Sequence, residues 1–237
     1  MSKKNKEVGI ATLGFNPWLK MHAICNALDQ TYNPKVLHLL HQPPFPPELI
    51  HDSFIKIVEH RVKGNWPAIW FFKMKLFIRR CKSPYFAIMD EDDRFEPRYL
   101  EHALAPIING APFAWNLNNI IVKNLVTGKH RYPMFKFKKY RSGIGTLVGQ
   151  TKELAVAFDK LTKECPRGLT RNGGGPVDAL LKRIITRMGV VNHKGCRRYF
   201  YHMNTNTKGD RDKRENVDFG WNERILPGKF KGKKRKR

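Results

Sequence analysis

"YFAIMDEDDRFEP", residues 85–97, runs five apolar side chains directly into four consecutive acids, in a chain whose formal net charge is +25. The apolar run reads as a buried strand, and the segments around it explain why. Upstream, "EVGIATLGF" (7–15) is a short strand ended by Asn16-Pro17, where Asn16 can cap a helix and Pro17 can occupy its first turn. Trp18, Met21, Cys25 and Leu28 then share one helical face. "PKVLHLLHQ" (34–42) reads as a second strand, "PPFPPE" (43–48) as a stiff loop and "SFIKIVEH" (53–60) as a third strand. "PAIWFFKMKLFIRRC" (67–81) follows as a basic, largely buried helix. This alternation of strand and helix predicts an α/β fold, a mostly parallel central sheet covered by helices, with residues 85–90 as its next central strand. The acids then sit at that strand's carboxyl end, where ligands bind in open α/β sheets.

Beyond the acids, "PRYLEHALAPII" (97–108) reads as a helix, and residues 111–137 as strands joined by a Thr127-Gly128 turn. "GTLVGQ" (145–150) is a further strand and "TKELAVAFDKL" (151–161) a helix with Thr151 as its cap. After the Gly-rich "RNGGG" (171–175), Val177, Leu180, Leu181, Ile184, Ile185 and Met188 form an apolar stripe at helical spacing, and "RRYFYH" (197–202) is a last strand. From about Lys208 the chain is charged and poor in apolar residues, the composition of an extended or disordered tail with a few anchors such as Phe219 and Trp221.

At 237 residues with 41% hydrophobic content, the chain can build one sizeable core. Against 20 Asp and Glu stand 45 Lys and Arg, a balance that points to nucleic acid, anionic lipid or phosphorylated ligands. The last ten residues hold seven of these cations, so +25 less seven leaves +18 on the remainder. The excess is not confined to the tail. Cys25, Cys81, Cys165 and Cys196 are far apart with no CxxC pair, which argues against a zinc site or a disulfide framework and for a reducing compartment. The apolar stretch near the amino terminus is too short for a signal peptide or a membrane span, and no later segment is long enough to cross a bilayer.

Asp90, Glu91, Asp92 and Asp93 repel one another, so a cation is their natural compensation. Hard oxygen ligands suit Mg²⁺ or Mn²⁺, with one or two carboxylates and the phosphates of a substrate completing the shell. A second reading is a solvated acidic turn that favours the dipole of the helix starting near Pro97. An EF-hand is excluded, because its Gly and its later Glu are missing.

The segment 85–104, "YFAIMDEDDRFEPRYLEHAL", resembles the metal-binding segment of family 2 glycosyltransferases of the GT-A fold, which run from an apolar strand into Asp-x-Asp-Asp, an aromatic, Pro and a helix. Upstream, "ATLGFNPWLKMHAICNALDQTYNPKVLHLL" (11–40) resembles the family's opening strand, Asn, amphipathic helix and second strand. Downstream, "GTLVGQTKELA" is similar to the strand and helix before the acceptor site, "GGGPVDALLKRI" to the loop whose acid begins a helix, and "YFYHMN" to a strand ending in histidine. The matches keep the family's order over residues 7–206, leaving 207–237 as a basic tail.

The resemblance implies a GT-A-like nucleotide-diphospho-sugar transferase fold and a role for each matching residue. Asp92 would be the metal ligand, with His202 completing metal or diphosphate binding. Asp90 and Asp93 would meet the donor nucleotide, beside Asn16. Lys73 and Lys75 fall where the family often has a basic or amide residue facing the donor diphosphate. Asp178 takes the place of the catalytic base that deprotonates the acceptor hydroxyl in inverting members. On the residues alone, Asp178 has a second reading as an acid favouring the dipole in the first turn of a helix, and His202 as a polar residue ending a strand. Two departures stand out. Where the second strand usually ends in an acid that reads the donor base, this chain has His41 and Gln42, and the acid pair before the late helix has become Val177-Asp178.

The expected activity is therefore transfer of a sugar from a nucleotide-diphosphate sugar to a hydroxyl, with Mn²⁺ or Mg²⁺. The positive field favours a nucleic-acid acceptor, a hydroxylated base in DNA of the kind a viral or bacterial DNA-modifying enzyme would meet, in the cytoplasm. Rival readings are a lipid-linked or surface saccharide reached by peripheral membrane contact, a non-catalytic nucleic-acid-binding protein on a degenerate transferase fold, and a metal-dependent nuclease.

Overall fold

A computed structural model of the chain describes residues 6–13, 20–40, 54–57, 66–91, 94–115, 120–124, 130–131, 144–164, 175–193 and 199–203. Its frame is a seven-stranded sheet of β1 (Val8–Thr12), β2 (Lys35–Leu39), β3 (Ile55–Ile57), β4 (Tyr85–Ile88), β6 (Phe113–Trp115), β9 (Val148–Gln150) and β10 (Val190–Asn192), in the order β10-β6-β9-β4-β1-β2-β3. β1 pairs in parallel with β2 and β4, β2 with β3, and β6 with β10. Only β9 runs against the rest, antiparallel to both β4 and β6.

Alternation along the strands divides the core into two layers. Val8 and Ile10 of β1 and Tyr85, Ala87 and Met89 of the β4 strand and its exit face one side. There they pack on Ile24 and Ala27 of α1 (Lys20–Leu28) and on Leu100, Ala103 and Leu104 of α3 (Tyr99–Ile108). Ala11, Phe86 and Ile88 face the other side, against Met74 and Phe77 of α2 (Trp66–Arg80), Leu154 and Phe158 of α4 (Thr151–Glu164) and Leu181 and Ile185 of α5 (Gly175–Met188). A strand apolar on both faces needs both layers, which is why "YFAI" sits at the centre of the sheet.

β9 approaches its neighbours closely at Gly149. A Cβ there would lie 2.7 Å from Phe113 Cδ1 and from the Pro112 carbonyl, and 2.8 Å from Phe86 Cε1. Thr151, expected as a cap, donates its hydroxyl to the Ser83 carbonyl at 2.7 Å and its amide to that of Pro84 at 2.9 Å, tying the start of α4 to the segment entering β4.

A second, four-stranded sheet was not foreseen. It consists of β5 (Arg94–Phe95), β7 (Ile120–Asn124), β8 (His130–Arg131) and β11 (Tyr199–Met203), in the order β5-β11-β7-β8. β5 and β10 have no counterpart in the sequence reading. The Thr127-Gly128 turn, Trp18 and the tail lie outside the described residues.

α1 departs from its expected face. Met21 and Cys25 turn toward the core, but Leu28 is 49% exposed, while the polar His22, Asn26 and Gln30 are buried. The reason is what those polar side chains hold.

Candidate active site

All the parallel strands end at one edge of the main sheet, and the acidic turn leaves β4 there. Met89 donates its amide to the Ala11 carbonyl at 3.0 Å, so the turn begins directly beside the end of β1. Asp90 is half-buried and Glu91 is 7% exposed. Asp92 and Asp93 lie outside the described residues.

α1 and the stretch just after it bond to the chain on both sides of the turn, through His22, Asn26 and Gln30, spaced four residues apart. His22 Nδ1 lies 2.7 Å from the Glu91 carbonyl, which can only accept, so Nδ1 carries the hydrogen. The Asn26 amide nitrogen 3.4 Å from the same Nδ1 is then a contact between two donors, and the useful half of Asn26 is Oδ1, which accepts from the Phe95 amide at 3.3 Å. Gln30 donates to the Glu96 carbonyl at 3.0 Å and accepts from the Leu100 amide at 3.0 Å. Thr31 adds a backbone bond to Pro97 at 2.8 Å. Glu91, Phe95, Glu96, Pro97 and Leu100 are thus bonded to α1 and to the residues that follow its end. Sequence reasoning missed this ladder, although the spacing of His22, Asn26 and Gln30 at i, i+4 and i+8 was the sign of it.

From the opposite layer, α2 contributes the buried Lys73. It is only 1% exposed, and burial draws its ammonium down to about 8, with the Glu91 carboxylate opposing that shift. Lys75, two residues on, is exposed. The two lysines expected to share a donor-facing role therefore differ: Lys73 is buried, and Lys75 remains at the surface.

The topology places the remaining candidates by their backbones. α5 feeds β10 through Gly189, whose φ of 98° suits a residue without Cβ, and β10 runs parallel to β6. α5 must therefore start at the sheet's carboxyl edge, and Asp178 lies in its first turn, next to the buried Val177. β11 pairs antiparallel with β5, Phe200 opposite Arg94 and Tyr199 opposite Phe95. Its carboxyl half, which includes His202, consequently extends past the end of β5 at which the acidic turn enters. Segment 14–19, with Asn16, leaves β1 at the same edge and is outside the described residues.

His193, unforeseen, closes this edge at the end of β10. It is 3% exposed, meets the Tyr99 ring edge-on at 5.6 Å, and neither ring nitrogen has a hydrogen-bond partner among the described residues. Burial, with His102 as a lesser cause, lowers its pKa to about 4, so the ring is neutral at physiological pH.

Among the described residues no three His, Cys, Asp or Glu side chains gather as a metal cluster. Of the acids expected to suit a hard divalent cation, Asp90 is half-buried, Glu91 is buried, and Asp92 and Asp93 lie outside the described residues. No helix among the described residues is long and apolar enough to cross a membrane.

No protein-family model matches this sequence, and no curated protein does. Solved structures do match. A crystal structure of S. aureus TarS 1-349 superposes with a TM-score of 0.54 at 12% identity, over 84% of this chain and 60% of that one. A second, of TarS 1-349 in complex with UDP-GlcNAc, gives 0.55 at 11% identity, over 86% of this chain and 60% of that one. The chain spans about 60% of the length of these neighbours. At such identity the likeness shows the fold, which is GT-A-like, as the order of sequence segments implied.

Proposed function

We propose that the chain is a nucleotide-sugar-dependent glycosyltransferase. The observation that carries this reading is convergence on one sheet edge: the acidic turn, the first turn of α5 with Asp178, and the half of β11 with His202. The GT-A-like fold and a structural neighbour holding UDP-GlcNAc support it. In this reading Asp92 and His202 hold Mn²⁺ or Mg²⁺, which when bound neutralises the charge that builds on the departing diphosphate. Asp90, Asp93, Asn16 and Lys75 orient the nucleotide. Asp178 accepts the proton of the acceptor hydroxyl as its oxygen bonds to the anomeric carbon and the bond from that carbon to the diphosphate oxygen breaks. A single displacement of this kind inverts the anomeric centre. Cys25 and Cys81 are buried free thiols, which supports a reducing, cytoplasmic setting.

For the acceptor we favour a polyanion, specifically DNA carrying hydroxylated bases. The support is electrostatic: +18 outside the last ten residues, and an α2 surface that shows Lys75, Arg79 and Arg80 with no acid in the helix. The test is incubation of the full-length protein with UDP-GlcNAc and other nucleotide sugars, with and without Mn²⁺, and with hydroxymethylated DNA, unmodified DNA or a lipid-linked saccharide. Mass spectrometry should find sugar on the hydroxymethylated nucleoside only when Mn²⁺ is present, with yield falling steeply as salt rises. Transfer to the saccharide alone would move the acceptor to the lipid surface. Nucleotide binding without transfer to any acceptor would overturn the enzyme.

A further inference from the structure

The two helical layers of the main sheet differ in charge. α1 and α3, on one face, carry one cation and one acid between them. On the other face α4 carries three of each and α5 three cations with one acid, whereas α2 carries four cations and no acid. One of the four, Lys73, is buried; Lys75, Arg79 and Arg80 are exposed, as is Lys82 just past the helix end. None of the exposed four has an ion pair among the described residues. The helix dipole favours Arg79 and Arg80 in the last turn, but it accounts for neither Lys75, a turn earlier, nor Lys82, beyond the end.

An aromatic ring lies among these charges. Phe72 is 42% exposed, and Phe72, Lys75, Leu76 and Arg79 fall at i, i+3, i+4 and i+7, a single stripe along the outside of the helix. A ring in water flanked by uncompensated cations matches a nucleic-acid strand, phosphates on the cations and a base on the ring. A helix that lies in a membrane surface turns its apolar face to lipid, and the apolar face of α2 is already spent on the core through Trp70, Met74 and Phe77.

We propose that the outer face of α2 is a docking surface for a single nucleic-acid strand, with Arg79, Arg80 and Lys82 on its phosphates and Phe72 stacked on an unpaired base. α2 links β3 to β4, strands that run in the same direction, so it leads from the sheet's carboxyl edge back to the amino edge over about 22 Å. The strand is thereby held along the side of the protein, away from the reacting group. For what then happens to the strand the inference rests on the transferase reading; docking itself needs no donor.

The test is fluorescence anisotropy of a labelled single strand of about 20 nucleotides, and of the matching duplex, with the full-length protein at a series of salt concentrations and no nucleotide sugar. Lys75 stays wild type, since the donor reading uses it. Arg79→Gln, Arg80→Gln and Lys82→Gln combined should weaken single-strand binding at least about tenfold and lower the slope of log affinity against log salt by about 2. Phe72→Ala should weaken the single strand about tenfold and the duplex far less, with the slope unchanged. Lys152→Gln, Lys160→Gln and Lys163→Gln combined remove the same charge from α4 and should cost much less affinity than the α2 variant. All these side chains are exposed, so melting temperatures should stay near that of the wild type.

Equal losses from the α2 and α4 variants would mean that net charge alone draws the strand, and would overturn the docking face. So would unchanged binding in the α2 variant with loss on removal of residues 228–237, which would leave the tail as the binding element. Full single-strand affinity in Phe72→Ala would overturn the stacked base. Capture of the wild type but not the α2 variant by phosphatidylcholine–phosphatidylserine vesicles, without α2-dependent DNA binding, would assign the face to lipid. If the wild type binds no nucleotide sugar, the transferase reading falls, while the anisotropy still decides whether α2 holds a strand.

Discussion

His22 donates through Nδ1 to the backbone carbonyl of Glu91 across 2.7 Å, joining the first turn of α1 to the acidic turn sixty-nine residues later. The bond is buried, and the histidine body is 6% exposed. His22→Phe keeps most of the volume but leaves that carbonyl without its donor, a loss of about 1–3 kcal/mol. Urea denaturation should show it. The same variant should weaken Mn²⁺-dependent nucleotide binding, and an unchanged affinity would mean that the turn keeps its shape without α1.

Asp92 and Asp178 should separate cleanly by kinetics. If Asp92 is the metal ligand proposed above, Asp92→Ala removes it and its charge, so nucleotide binding should weaken in the presence of Mn²⁺ and lose its dependence on the metal. Asp178→Asn keeps the shape of the side chain but cannot take a proton at neutral pH, so turnover should fall about 10²–10⁴-fold while nucleotide affinity is retained. Wild-type turnover in Asp178→Asn would return that residue to a helix-dipole role.

Acid should destabilise the fold through two buried histidines. Burial lowers both His38 and His193 from 6.5 to about 4; Glu7 opposes the shift at His38 while Lys56 adds to it, and His102 adds to it at His193. A folded value below the unfolded one means that the unfolded chain binds more protons between the two, so stability falls as pH drops from 6.5 to about 4. Above pH 6.5 these rings contribute no slope. The full loss is on the order of 3 kcal/mol for each ring, and His38→Leu combined with His193→Phe should flatten the stability–pH curve in that window. A curve as steep as the wild type's would assign the acid sensitivity to other groups.

Gly149→Ala tests the narrow passage of β9. The added methyl would meet Phe113, the Pro112 carbonyl and Phe86 within 2.8 Å, and two of those three contacts are rings already packed against each other 6.4 Å apart. Overpacking of this kind costs about 1–3 kcal/mol. A fall in the denaturation midpoint with unchanged slope is the expected result.

The parts of the fold that were legible in the sequence are those whose residues face one environment all along. "VGIAT" and "YFAI" are buried on both sides, and their strands fall where expected. The stripe of α5 was equally clear, because Val177, Leu181, Ile184 and Ile185 meet an apolar layer throughout. α1 misled because its buried face is partly polar: Leu28 is turned to solvent, while His22 and Asn26, with Gln30 just past the helix end, satisfy a distant backbone. β5 and β10 were hidden by length, since two or three residues carry no periodicity. At the site, the acids announced themselves through charge, but nothing in the sequence marked Glu91 as the buried one among them. Asp92, Asp93 and Asn16 remain expectations, outside the described residues.

The single reversed strand has a consequence for synthesis on the ribosome. β6 and β10 reach the rest of the main sheet only through β9, whose three residues pair with β4 on one side and β6 on the other. While the chain between Trp115 and Val148 is still being made, the strands up to β4 can assemble, but "FAW" of β6 has no edge to join. At the pace of translation that interval lasts on the order of seconds. Until β9 has been made and released, β6 and β10 have no strand through which to join β4, so this half of the sheet must be completed last.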